Sequence, residues 1–121
     1  MSTTQRRSAV RYRWRDLPPD HPMALVSRRR IMGEQMMLSE VLLDKGCVVP
    51  THAHENEQMA CIVRGVVRFG IGAEGSSDRR ELLLKAGEVL LLPANVPHSA
   101  EALEEALVLD IFSPPRHDYK S

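Results

Sequence analysis

The sequence has no excess of charge of either sign, since 16 basic side chains are balanced by 16 acidic ones in 121 residues. Long-range attraction to nucleic acid or to an anionic membrane surface is therefore not expected. Long apolar runs are also missing. The stretch Val89-Leu90-Leu91-Leu92 falls far short of the roughly 20 residues that a helix needs to cross a bilayer, so no membrane span is expected. Arg6, Arg7, Arg11, Arg13 and Arg15 near the start are followed by no apolar segment, which argues against a secretory signal and for a cytoplasmic location. Cysteine is scarce. Cys47 and Cys61 lack the CxxC spacing, and in a reducing compartment such thiols act as small buried apolar groups. There is no internal repeat, no low-complexity tract, no sustained helical periodicity and no helix-turn-helix pattern.

What is present suits a folded domain. Hydrophobic residues make up 43% and charged residues 26% of the chain, the usual balance for a globular core, and the length fits one such core. Residues 1–20 are polar, Arg-rich and end in Asp16-Leu17-Pro18-Pro19. They read as an arm, partly disordered or serving as an edge strand, before a single barrel over 21–121. Arg28-Arg29-Arg30 reads as solvated surface. From Gly33 onward, short β-branched and apolar runs alternate with Gly, Pro and Asp. They predict strands over Met36 to Leu43, Val48 to His54, Met59 to Val63, Val66 to Ile71, Arg80 to Leu84, Val89 to Pro93, His98 to Ala102 and Ala106 to Phe112. Gly72 to Asp78 is a polar hairpin loop. The expectation is an all-β jelly roll, which limits exposed strand edges.

Four residues with metal affinity stand at suggestive spacings. His52 and His54, two apart in an expected strand, face the same side about 7 Å apart. Gln58 follows the polar turn Glu55-Asn56-Glu57, and His98 stands just beyond Pro93-Ala94-Asn95-Val96-Pro97, a rigid corner able to aim a ring inward. Three imidazoles and one amide oxygen suit one divalent ion of Zn, Ni, Fe, Mn or Co, with positions left for substrate. Glu57 is an alternative oxygen donor, but alternation puts it on the face opposite Gln58. Near the end, Asp110 interrupts the apolar strand around Leu107 to Phe112. By alternation it shares a face with Val108 and Phe112, so it looks into the cavity or toward a partner. Pro114 and Pro115 then stiffen the turn that leads to Arg116. Two readings stay open here: an Asp110–Arg116 ion pair that locks the terminus, or a pair of functional groups.

The full pattern is longer than these residues. Gly46, five residues, His52, one, His54, three, Gln58, six and Gly65 are followed by Gly87, five, Pro93, one, Asn95, two and His98. In order and spacing this resembles the two motifs of the cupin family. Gly46, Gly65 and Gly87 stand at turns where positive φ is expected. The chain departs from that family in having Gln58 where most metal-binding members have Glu, Asn95 where Gly is usual, and Ala102 in place of an Asn. A neutral amide leaves a bound ion more Lewis acidic than a carboxylate would. Together with Asp110, Phe112, Arg116 and the Phe-Ser-Pro-Pro-Arg ending, residues 33 to 119 look like the pectin-degradation cupins of the KdgF type, which convert 4,5-unsaturated monouronates to open-chain keto acids. The resemblance implies catalytic roles for Asp110 and Arg116, a substrate-binding role for Phe112, a small carboxylate-bearing substrate and a homodimer, while the balanced charge and short apolar runs leave no nucleic-acid or membrane partner expected. Two other readings are a metal-dependent dioxygenase, which would consume oxygen, and a non-catalytic cupin that only binds a small ligand.

Overall fold

The computed structural model of the chain describes residues 8–117. Residues 1–7, with Arg6 and Arg7 of the expected arm, and residues 118–121 lie outside the described residues. After a 3-10 turn at Trp14–Asp16, nine strands follow: β1 (Val26–Met32), β2 (Met37–Leu43), β3 (Val48–His52), β4 (Glu57–Arg64), β5 (Val66–Ile71), β6 (Arg80–Lys85), β7 (Val89–Leu92), β8 (His98–Ala102) and β9 (Ala106–Ser113). They form two antiparallel sheets, ordered β1-β2-β9-β4-β7 and β3-β8-β5-β6. This is the expected all-β jelly roll.

Alternation creates the core between the sheets. Along β2, Met37, Ser39, Val41 and Leu43 are buried. They lie in register with Phe112, Asp110, Val108 and Ala106 of β9. From the other sheet Val67, Phe69, Leu84 and Ala102 meet them. Each fully buried Val, Leu or Phe stabilises the fold by about 1.5–3 kcal/mol.

Two local expectations need correction. Strand β1 is absent from the expected set, because Arg28-Arg29-Arg30 break the apolar alternation that marks a strand. Arg28 is not solvated surface but buried, at 4% exposure. The chain tolerates this because Asp20 meets it: Arg28 Nε donates to Asp20 Oδ1 at 2.8 Å, and Arg30 Nη2 reaches Asp20 Oδ2 at 3.2 Å. Strand β3 also stops at His52 rather than His54, with a register shift against β8 between Val49 and His52.

The turns explain the glycines. Gly46, Gly65 and Gly87 have φ of 89°, 90° and 89°, and Asn95 adopts φ 67°, a conformation Asn accepts more readily than most residues. At Gly65 a Cβ would overlap the Glu105 carbonyl oxygen and stand 2.7 Å from Ala106 Cα, whereas at Gly87 it would meet nothing within 4 Å. Gly65→Ala is therefore expected to destabilise the domain by about 3 kcal/mol or more, and Gly87→Ala by only about 1–2 kcal/mol, as measured by urea unfolding. Equal losses would show that the close approach at Gly65 does not matter.

Candidate functional site

Strand ends and tight corners deliver the polar side chains to one end of the cavity. His52 closes β3 and lies opposite His98, which opens β8. Their ring centroids are 4.4 Å apart. His54 stands beyond the strand, yet its centroid lies 5.6 Å from that of His52 and 5.1 Å from that of His98. The expected convergence is present, but simple alternation does not produce it. Each ring is aimed instead by a main-chain carbonyl. The Nδ1–H of His52 donates to Pro50 O, that of His54 to Asn56 O and that of His98 to Val96 O, each at 2.9 Å. A neutral ring held this way presents its Nε2 lone pair for ligation. One nitrogen from each ring falls within 4.8 Å of the others, a grouping able to hold a metal ion.

Gln58 joins this group from β4, where it is buried while Glu57 is exposed. The two side chains fall on opposite faces of β4, as strand alternation predicts. Gln58 Nε2 donates to Asp110 Oδ1 at 3.0 Å, which turns its Oε1 toward His54 Nε2, 3.1 Å away. With the His54 proton on Nδ1, two lone-pair atoms face each other across that gap. A cation bound by both would relieve this opposition, so the donor set fits a divalent ion, with His52, His54, His98 and Gln58 able to hold it. A glutamate in place of Gln58 could not do the same, because a carboxylate has no proton to donate to Asp110 and would add a like charge beside it.

Burial sets the protonation states. Desolvation lowers His98 to about 4, against the bond to Val96. His54 is lowered first by burial and then by the charge of Arg116. Both rings are thus neutral at pH 7, as ligation requires. Asp110 moves the other way: burial pushes it up to about 6, partly offset by the Gln58 hydrogen bond and the charge of Arg116. A carboxyl group in that range can give or take a proton near neutral pH.

The tail completes the site. Arg116 is buried and its guanidinium carbon lies 5.5 Å from the Phe112 ring centroid, while His54 meets the same ring edge-on at 5.7 Å. Asp110, Phe112 and Arg116 line one cavity together with Gln58, His52 and His98. Sequence reasoning missed two participants. Arg28 lines this cavity from β1. Asn56 is buried in the turn before β4; its carbonyl aims His54 and its Nδ2 donates to Pro114 O at 2.6 Å. Alternation would have pointed to Arg28 had β1 been recognised; no sequence signal marks Asn56 among its polar neighbours.

Comparison with known proteins supports the fold. Residues 39–112, more than half of the chain, match the model of the cupin domain. KdgF from Halomonas sp. superposes with a TM-score of 0.76 at 28% identity, covering 86% of this chain and 94% of its own. An RmlC-like cupin from Shewanella frigidimarina gives a TM-score of 0.81 at 23% identity, covering 92% and 96%. Oxalate decarboxylase of Bacillus subtilis gives 0.75 at 20% identity over 85% of this chain but 29% of its own. These last two show a shared fold. No protein of curated function matches the chain.

The donor geometry yields a direct expectation. His98→Ala leaves two imidazoles and should abolish stoichiometric binding of Zn or Ni, whereas Gln58→Ala should retain binding weakened about 10- to 100-fold. Metal content after dialysis and competition with a chelator would measure both. Wild-type affinity in the His98 variant would remove the site from the cavity.

Proposed function

The chain belongs to the cupin family, and from that premise we propose that it is a metal-dependent enzyme that opens a small sugar acid, a 4,5-unsaturated monouronate, to its keto acid. The observation that carries this reading is the position of Asp110. Its carboxyl is joined through the Gln58 amide to the three-histidine group and shares a cavity wall with Arg116. On this reading Asp110 is the general acid/base, Arg116 the anion-binding group and the histidine group the metal position. The likeness to KdgF adds support.

A bound divalent ion would supply Lewis acidity to a substrate oxygen. The remaining work falls to the chain. Arg116 receives the substrate carboxylate with paired N–H donors, and Phe112, packed under that guanidinium, supports the sugar face. A 4,5-unsaturated monouronate is both a hemiacetal and an enol ether. Loss of the anomeric hydroxyl proton breaks the C1–ring oxygen bond and releases an aldehyde and an enolate. A proton then added at C4 gives the ketone, so atoms balance and no electrons are gained or lost. Asp110 is the group placed to move these protons. The apolar walls around Val49, Phe69 and Val108 keep competing water away from the reacting carbons.

The same reading includes a cytoplasmic homodimer. Across the outer face of the five-stranded sheet, register aligns Leu38, Ile111, Met59 and Leu91 in one row, with Met59 and Leu91 about half exposed. A second copy would cover this apolar row. Replacing both Met59 and Leu91 by Lys should shift the protein toward monomer in sedimentation velocity.

Activity is read as loss of the ultraviolet absorbance of the conjugated double bond. Asp110→Asn should lower kcat by about 10²–10⁴-fold, with metal content unchanged. Arg116→Ala should act chiefly by raising KM, and an oxygen electrode should register no consumption. Wild-type turnover in Asp110→Asn would overturn the mechanism; oxygen uptake during turnover would favour a dioxygenase.

A further inference from the structure

The three consecutive arginines of β1 divide by alternation. Arg29 faces outward, where it donates to the Leu17 carbonyl at 2.9 Å and reaches Glu40 Oε1 at 3.3 Å. Arg28 faces inward and lines the same cavity as His98, Asp110 and Arg116. Taking a guanidinium out of water costs several kcal/mol before its partners are counted. Anchoring the preceding segment does not explain that cost. Main-chain bonds already tie it to β1, with Asp20 N donating to Arg28 O and Arg28 N donating to Asp20 O, both at 2.9 Å. The outward Arg29 fastens Leu17 as well.

The placement of Arg28 is informative about a ligand. In register it is level with Val41 of β2 and Val108 of β9. Phe112, over which Arg116 stacks, lies four residues further along β9. The two guanidinium groups therefore approach the cavity from separate points, and the wall shared by Val41, Val108, Phe69 and Val26 is apolar. Among the described residues that line the cavity, two carry guanidinium groups and one carries a carboxyl. Such a lining favours an anion, and two separated multidentate donors favour a ligand with acceptor oxygens at two places.

We propose that Arg28 forms a second recognition point in the cavity, binding the oxygen-bearing end of the ligand remote from the carboxylate held by Arg116. The ligand class is a short bifunctional acid: a carboxylate at one end and a carboxylate, carbonyl or hydroxyl oxygen at the other. This inference rests on the reading of the cavity as a substrate site with Arg116 as its carboxylate holder. Asp20 then serves as the counter-ion that fixes the guanidinium, and Arg28 determines which acids fit.

Calorimetry on the nickel-loaded protein with succinate and butyrate tests it, since these four-carbon probes differ by one terminal carboxylate. Wild type should bind succinate at least tenfold more tightly. Arg28→Met should reduce that preference to under threefold by weakening succinate alone, and Arg28→Lys, the variant less disruptive to folding, should give an intermediate value. Asp20→Ala, with the main-chain bridge intact, separates recognition from anchoring: it should lower the thermal midpoint yet keep a succinate preference above that of Arg28→Met. The proposal is overturned if wild type shows no preference, if the Arg28 variants retain it in full, or if Asp20→Ala loses it in parallel with Arg28→Met. A chain that leaves the monouronate unchanged but loses succinate preference on Arg28 substitution would refute the proposed reaction while upholding this subsite.

Discussion

Three imidazole rings at one end of the barrel each donate their Nδ1 proton to a main-chain carbonyl two residues away, and the setting of the neighbouring Gln58 amide follows from this. A ring fixed in that tautomer has a lone pair and no proton on its inward nitrogen. Three lone pairs and the Gln58 oxygen in one small region repel one another unless a cation lies among them. The backbone holds them there, through the register irregularity of β3 between Val49 and His52, the turn that contains Asn56 and the corner that includes Asn95 in positive φ. Side chains held in this way would have little conformational freedom left to lose on binding a cation.

Gln58 extends this constraint to Asp110. Its amide has two different ends, an acceptor facing His54 and a donor facing Asp110. That polarity accounts for an amide where a carboxylate is usual in the family. A Gln58→Glu change would give the ion a charged ligand, but it would also place a second carboxylate against Asp110 and leave Asp110 without its donor. The amide would thus allow a bound cation and an ionisable carboxyl to stand side by side. Arg116 shares this environment, and its charge opposes protonation of both His54 and Asp110.

Much of this is legible in the chain. Glycines at positions 46, 65 and 87 mark turns because a positive φ leaves few alternatives, and the run from Leu107 to Phe112 puts Asp110 on the inner face because strand period is two. The pairing of His52 with His54 follows from the sequence for an incomplete reason: alternation suggests it, whereas hydrogen bonds to carbonyls orient the rings. Strand β1 is hidden because its inward position 28 carries a guanidinium where the pattern calls for an apolar side chain. An ion pair with a residue eight positions earlier makes that substitution possible, and such a pairing leaves no periodic trace. Asn56 is equally silent, since its role comes from the return of the tail past Pro114, a contact across 58 positions.

The buried carboxyl of Asp110 also bears on whether the cavity transforms its ligand or only holds it. For a binding site alone, an Asp110→Asn chain would accept the Gln58 hydrogen bond through its own amide oxygen and avoid the desolvation of a charge. Burial shifts Asp110 upward to about 6, which means the ionised form is disfavoured there and the fold gains less than a neutral isostere would give it. What a carboxyl offers and an amide lacks is a proton that can leave and return near neutral pH. Positioned one amide from the histidine group and beside a guanidinium able to grip an acid, that proton is the simplest explanation for an ionisable group in the wall of an otherwise apolar strand.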